Sequence, residues 1–161
     1  MPRISEFGLL VLFSLFALLP ACSHPQKEET AVEAAAPEGA SLYSRLGGEE
    51  VIQNFANQFV KQLAMNNKIM SNPIVAGALS KNQDDHKKKL ATLLCQISGG
   101  PCKYEGRSVK EAHTPLKITQ AEWKEMTRVF IQVLQRLKVA KKERQELAGL
   151  VARYKSQIVG S

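Results

Sequence analysis

The sequence lacks several patterns that would by themselves define a fold or an activity. No segment alternates apolar and polar residues for long enough to predict a strand, so the expected fold class is all-α. No glycine fingerprint of the flavin or nicotinamide type is present, and a reaction that needs electrons would therefore depend on a separate reductase. Histidine is scarce as well, with three residues among 161.

Acidic residues are few beyond position 40. Residues 41–161 contain 20 basic and 10 acidic residues, which gives a net charge near +10. The charge is concentrated in residues 86–89 and 138–144, which could rest against anionic lipid headgroups, attract an acidic partner or form solvated helix faces. Aromatic residues are not interleaved with this charge, so no nucleic-acid partner is expected.

No apolar run reaches the ~20 residues that span a bilayer. The longest run, Gly8–Pro20, follows a basic N-terminus and is typical of an export signal. Its end, Leu19-Pro20-Ala21-Cys22, resembles the lipobox of bacterial lipoproteins, in which the cysteine is acylated. We therefore expect a signal peptide over 1–21, a lipidated Cys22 that starts a flexible tether over 22–40, and anchoring to a bacterial membrane at the cell envelope. The alternative is an uncleaved anchor.

Residues 41–161 are expected to form one helical domain. Apolar residues recur at helical spacing in several stretches, which capping and turn residues separate. The expected helices are Ser41–Leu46, Glu49–Leu63, a helix carrying Leu90 to Ile97, Val109–Leu116, a helix opened by the capping box Thr119–Glu122, and a last helix reaching Ile158. Between 65 and 83, asparagine, serine, glycine and proline predict only loops and short turns.

Cys95 and Cys102 remain as an even pair once Cys22 is assigned to lipidation. In an oxidising compartment a disulfide between them is expected, and on the chain-entropy model it contributes about 2 to 3 kcal/mol. The alternative is two buried thiols.

Four strings in this domain resemble the landmark sequences of group I truncated haemoglobins. They occur in the family's order with similar spacing and together cover essentially all of 41–161. The strings are Ser41–Gly48 (SLYSRLGG), Gly99–Arg107 (GGPCKYEGR), Lys110–His113 (KEAH) and Ile118-Thr119. The resemblance implies a two-over-two helical sandwich around a non-covalent b-type haem, with His113 as the proximal iron ligand. No C-x-x-C-H string is present for covalent attachment.

A neutral imidazole is a suitable axial ligand for haem iron, and its second nitrogen is normally oriented by a carbonyl or a carboxylate. For His113 we expect a backbone carbonyl of the same short helix.

On the distal side the chain departs from the family, which usually has a Phe-Tyr pair where this sequence has Phe59-Val60. In the family the phenol of this tyrosine donates a hydrogen bond to bound dioxygen. Without it, bound dioxygen should lose about 1 to 2 kcal/mol of stabilisation unless another donor replaces the tyrosine. His86 is the candidate, and three states follow: an open site, a hydrogen bond from His86 to the ligand, or His86 on the iron. His86 could instead head a solvated run of lysines.

The remaining expected haem contacts are one charged residue and several apolar walls. Lys89 could reach a haem propionate or remain solvated. The apolar residues could equally be ordinary core. They are Phe59, Val60, Leu90, Leu94, Met126 and Phe130.

Three functions remain open at this point. The first is reversible binding of a diatomic gas at the envelope for sensing, storage or delivery. The second is an enzyme, either a nitric oxide dioxygenase or a peroxidase-like haem protein with a separate reductase. The third is a haem-free structural lipoprotein.

Overall fold

A computed structural model of the protein describes residues 39–160. Nine α-helices occur within this range, and a single 3-10 turn over Thr114–Leu116 follows the sixth. The helices are α1 (Leu42–Leu46), α2 (Gly48–Ala64), α3 (Asn67–Met70), α4 (Pro73–Ser80), α5 (Gln83–Ile97), α6 (Val109–His113), α7 (Gln120–Arg136), α8 (Lys141–Ala152) and α9 (Lys155–Ile158). The expected signal peptide and Cys22 lie outside the described residues, as does nearly all of the tether.

The prediction of an all-α fold is confirmed. From residue 39 to residue 160, β-type pairing is limited to one bridge between Ile118 and Val159. No helix in this part of the chain is long and apolar enough to cross a membrane.

The start of the domain follows the capping signals in the sequence. The Ser41 hydroxyl accepts a hydrogen bond from the Ser44 amide at the beginning of α1. Gly47 ends α1 with a φ of 104°, a left-handed conformation that glycine adopts without steric cost. An added Cβ at Gly47 would lie 2.5 Å from Val51 Cγ2, so a larger residue would also collide with α2.

The prediction for residues 65–83 was wrong, because α3 and α4 lie there. Asn66 and Asn72 each accept two backbone N–H groups of the following helix, and Pro73 occupies the first turn of α4. Asparagine at an N-cap and proline in the first turn favour helix starts, although both residues interrupt a helix elsewhere. The expected last helix is likewise divided, into α8 and α9.

The hydrophobic core lies between the long helices α2, α5, α7 and α8. α2 packs against α5 and α7, and α7 packs against α8. At the centre, the ring of Phe55 is fully buried and meets the ring of Phe130 edge-on at 4.7 Å between centroids. Phe59 stacks on Phe55 with 5.4 Å between centroids and contacts the cavity described below.

The end of α5 is tied to the loop that leads to α6. Cys95 and Cys102 form a disulfide, with 5.8 Å between their Cα atoms. Gly100 lies against this bridge, since an added Cβ would be 2.6 Å from Cys95 Sγ and 2.7 Å from the ring of Tyr43. Only glycine fits between the disulfide and Tyr43 without displacing one of them.

Candidate haem site

An apolar cavity is lined by residues of six helices: α2, α5, α6, α7, α8 and α9. Most of its lining side chains are aliphatic or aromatic, and His113 is the one lining residue with an imidazole. The lining residues are Phe59, Leu90, Leu93, Leu94, Ile97, Val109, His113, Trp123, Met126, Thr127, Phe130, Ala148, Val151, Ala152, Tyr154 and Ile158. We call this space the His113 cavity.

The short helix α6 holds His113 at the cavity wall. Its N-terminus is closed by a capping box, in which the Glu111 amide donates to Ser108 Oγ and the Ser108 amide donates to the Glu111 carboxylate. Hydrogen bonds from the Ser108 hydroxyl and amide also lower the pKa of Glu111. Beyond His113, Pro115 lacks an N–H group and the chain continues as a 3-10 turn. His113 is therefore carried on a five-residue helix with both ends defined.

The imidazole of His113 is oriented as expected from the sequence. Its Nδ1–H group donates to the Val109 carbonyl at 2.7 Å, one turn earlier in α6. This bond fixes the tautomer, so Nε2 carries the lone pair that a metal can accept. Within residues 39–160, the hydrogen bond of the ring is made at Nδ1, and Nε2 is not sealed inside the protein, since no fully buried side-chain nitrogen there lacks a partner.

The surroundings of this imidazole favour its neutral form. Burial lowers the pKa of His113, and the charge of Arg107 lowers it further, whereas the hydrogen bond to Val109 opposes the shift. Only the neutral ring offers a lone pair to iron. The donor chemistry and the apolar walls therefore fit a haem group.

Five of the residues predicted as haem walls are brought together here. Phe59, Leu90, Leu94, Met126 and Phe130 all line the His113 cavity. Leu94, Phe130 and Phe59 are deeply buried, with 1%, 5% and 8% of their surfaces exposed.

Val60 is also buried, but it does not line the cavity. It follows Phe59 by one position, which is about 100° around an α-helix, and so lies on a different part of the helix surface from Phe59.

Sequence reasoning missed several lining residues for which a signal was present. Leu93 and Ile97 lie three and seven positions after Leu90, and so share a face of α5 with it. Trp123 is related to Met126 in the same way, by three positions on α7. The apolar stripe of the last helix was recognised, but nothing in its spacing showed that Val151, Tyr154 and Ile158 face the same cavity as His113.

His86 lies elsewhere. Its Nε2 is 2.9 Å from the Ala78 carbonyl oxygen, which links the first turn of α5 to α4. His86 does not line the His113 cavity. A distal role for His86 stays a prediction, and it would require this hydrogen bond to break and the ring to turn.

Lys89 is engaged in an ion pair on the surface of α5. Its Nζ is 2.7 Å from Asp85 Oδ2, and both side chains are about half exposed, at 49% and 47%. The hydrogen bond from Lys89 lowers the pKa of Asp85. Lys89 does not line the cavity, so contact with a propionate would require it to leave Asp85.

A buried carboxylate on α7 makes hydrogen bonds next to the part of this helix that lines the His113 cavity. Glu125 is 9% exposed and accepts hydrogen bonds from Asn66 Nδ2 at 2.7 Å and from Arg128 Nε at 3.1 Å. The bonds from Arg128 and Asn66 lower its pKa to about 2. Because Asn66 also caps α3, this contact fastens α3 to α7 beside Met126.

An all-α fold with a single oriented imidazole in an apolar cavity defines the class of haem-binding globins. Residues 41–159 match the family model described as bacterial-like globin, and the chain belongs to that family. It is a truncated globin, and membership implies a haem cofactor.

Two curated relatives are the group 1 truncated haemoglobins GlbN of Nostoc commune and of Nostoc sp. (strain MUN 8820). They are 30% and 31% identical to this chain over 81 residues, which is 50% of this chain. The matched part spans 64% of the length of each relative.

Solved structures show the same fold. The truncated haemoglobin of Tetrahymena pyriformis in its Fe(III) form superposes with a TM-score of 0.68 at 20% identity, covering 76% of this chain and all of that one (100%). The 2/2 haemoglobin of Synechococcus sp. PCC 7002, in the cyanomet state with covalently attached haem, gives 0.67 at 19% identity with the same coverage, 76% and 100%. The two-over-two helical arrangement is thereby confirmed.

Proposed function

We propose that this protein is a group I truncated haemoglobin that binds a diatomic gas, O2, NO or CO, reversibly at a non-covalent b-type haem. The observation that carries the proposal is His113, whose ring lines an apolar cavity and whose Nδ1 is bonded to the Val109 carbonyl, which leaves the lone pair on Nε2. The Nostoc relatives support the assignment to group I.

A haem held in this cavity would supply an iron able to bind a gas. The chain would hold it through Nε2 of His113 and through a wall of apolar side chains that excludes water. The pocket holds the porphyrin by apolar burial, at about 25 cal/mol per Å² of surface removed from water.

The wall supplied by α2 and α5 bears on which gas is favoured. All five of its lining side chains are apolar: Phe59, Leu90, Leu93, Leu94 and Ile97. None of them donates a hydrogen bond, and distal donors stabilise bound dioxygen. We therefore propose that the pocket binds dioxygen more weakly, relative to carbon monoxide and nitric oxide, than a pocket with a distal hydrogen-bond donor does.

The experiment is an absorption spectrum of the full-length protein produced with haem supplied, in its ferric, ferrous and carbonmonoxy forms. A Soret band that shifts on reduction and on addition of carbon monoxide is expected. A protein that folds but shows no Soret band would overturn the proposal in favour of the haem-free structural lipoprotein. Turnover of nitric oxide or peroxide with an added reductase would favour the enzyme instead.

We further propose that the globin domain is exported and anchored to a bacterial membrane through an acylated Cys22. The support is the lipobox-like string that ends at Cys22. Labelling cells with a fatty acid should mark the wild-type protein, and Cys22→Ser should lose the label. A label retained by Cys22→Ser would contradict the assignment.

A further inference from the structure

The surface formed by the end of α2, by α3 and by α4 contains no acidic residue. From residue 51 to residue 83 the sequence has no aspartate or glutamate, although it includes Lys61, Lys68 and Lys81. We call the surface carried by these three helices the α2–α4 face. Its own charge is therefore entirely positive.

The carboxylates of neighbouring elements have other partners. At the start of α5, Asp84 pairs with Lys87 and Asp85 pairs with Lys89. On α7, Glu122 accepts hydrogen bonds from Thr119.

Glu125 is satisfied by Asn66 and Arg128, and its Oε2 is 4.0 Å from Lys68 Nζ. The side chain of Lys68 is nevertheless 80% exposed. Its charge faces solvent, where an ion pair of this length contributes little.

The same face carries the exposed apolar side chains. Among residues 39–160, the large hydrophobic side chains that are exposed are Met65, at 68%, and Ile74, at 43%. α4 has no charged residue, and Pro73 and Gly77 are exposed beside Ile74. The solvent side of a surface helix is ordinarily charged or polar, and α4 departs from this pattern.

The lysines and the apolar side chains lie on adjoining elements. Lys61 and Met65 are four positions apart at the end of α2, on the same side of that helix. α3 begins two residues after Met65 and packs against both α2 and α4. Lys81 directly follows α4, one turn beyond Gly77.

We propose that the α2–α4 face rests on an anionic lipid bilayer, with Met65 and Ile74 in the interfacial region and the three lysines against headgroup phosphates. Exposed apolar side chains with lysines on the same and adjoining elements have the chemistry of an interfacial contact. Each lysine near an anionic membrane surface strengthens binding by a factor of about five. The proposal rests on neither haem nor gas binding.

An acidic protein fits this face less well than a bilayer. Cores of protein interfaces are enriched in exposed aromatic residues, and the aromatic residues of 51–83, Phe55 and Phe59, are buried in the core. The face is also formed by short helix ends rather than by a groove. An acylated Cys22 would in addition hold residue 39 within about 60 Å of the membrane, the reach of the intervening chain.

The surface at the start of α8 offers a matched control. Lys141 and Lys142 are exposed there, but Glu143 and Glu146 accompany them and pair with Arg45. The control surface is therefore also basic, but it has no exposed large hydrophobic side chain, so it shows whether lysine charge alone is sufficient.

The test is hydrogen exchange of the full-length protein in lipid nanodiscs, made either of phosphatidylcholine or of phosphatidylcholine with phosphatidylglycerol. We expect amide exchange in residues 66–81 to slow in the anionic nanodiscs alone. Short helices such as α3 and α4 open readily, so a covered face produces a measurable difference. The slowing should disappear at high salt and in K61Q/K68Q/K81Q, persist in K141Q/K142Q, and weaken in M65Q/I74Q.

Several outcomes would overturn the proposal. Equal exchange in the two kinds of nanodisc would do so, as would loss of the slowing in K141Q/K142Q but not in K61Q/K68Q/K81Q. Slowing that grows with protein concentration without lipid would assign the face to a second copy of the chain. Far-ultraviolet circular dichroism of each variant reports its fold independently of haem, so failure of haem uptake would leave the exchange result standing on its own.

Discussion

The two sides of the His113 cavity are built in different ways. On the α6 side, a capping box and a proline fix the two ends of the helix, and a hydrogen bond within the helix fixes the orientation of the His113 imidazole. On the α5 side, the lining is wholly aliphatic and the one nearby imidazole, His86, is bonded to Ala78 instead. The orientation of the His113 imidazole is thus fixed by contacts within a few residues, whereas the apolar character of the opposite wall comes from the side chains that α5 and α2 place there.

The largest effect is expected on the α6 side. His113→Ala removes the axial nitrogen and should abolish stable haem incorporation, which the ratio of Soret to protein absorbance measures. Added imidazole should restore part of the Soret band, because the cavity itself remains. His86→Ala serves as the control and should retain haem. Normal haem content in His113→Ala would end the proximal assignment.

A smaller effect is expected from adding a donor to the α5 side. Leu90→Gln places an amide on the cavity wall and should slow dioxygen release about 5- to 30-fold, which corresponds to 1 to 2 kcal/mol for one hydrogen bond. Carbon monoxide release should change far less. Flash photolysis and stopped-flow mixing measure both rates. Lys88→Gln, on the exposed side of α5, is the control, and equal slowing in the two variants would refute the cavity argument.

His86 provides the most direct challenge to this contrast. If it stays on Ala78, His86→Leu should leave the haem spectrum unchanged and lower the free energy of unfolding by about 0.5 to 1.5 kcal/mol, the contribution of one hydrogen bond. His86→Gln keeps a donor and should lose less. A change from a six-coordinate to a five-coordinate spectrum in His86→Leu would place His86 on the iron and make the two sides alike.

The last comparison concerns Glu125, which supports the α7 wall common to both sides. Its pKa is about 2 in the folded protein and near 4.5 when unfolded, so its stabilisation is complete above 4.5 and is lost as pH falls towards 2. Glu125→Gln should therefore flatten the acid limb of stability measured by urea unfolding. Glu105→Gln, on an exposed loop, should not alter that limb. An unchanged limb in Glu125→Gln would show that Asn66 and Arg128 contribute no pH-dependent stability.

Local signals made much of the fold predictable. Ser41, the capping box at Thr119 and the stripe of α2 mark helices that the structure contains. The region of α3 and α4 was misread because asparagine and proline have opposite meanings at a helix start and in its interior, and composition does not distinguish the two positions. His113 became a ligand candidate through the family strings, since a lone histidine beside a proline has no specific pattern of its own.

The position of His86 depended on where α5 begins, which no local signal fixed. Asn82 precedes α5 with a φ of 52° and makes no side-chain cap. The turn into α5 is therefore set by the packing of α4, and with it the direction in which His86 points. The direction of a side chain that depends on tertiary contacts cannot be predicted from the periodicity of the sequence.

The disulfide between Cys95 and Cys102 spans the junction between the two walls, because α5 ends beside it and the loop that follows enters α6. A pocket that closes around a large planar group loses conformational freedom when it does so, and that loss weakens binding. The bridge removes part of this freedom in advance, at the moment the chain folds. In the oxidised protein the bridge therefore limits how far the end of α5 can move relative to the loop that enters α6. Reducing it is expected to weaken the binding of a large planar group in the cavity.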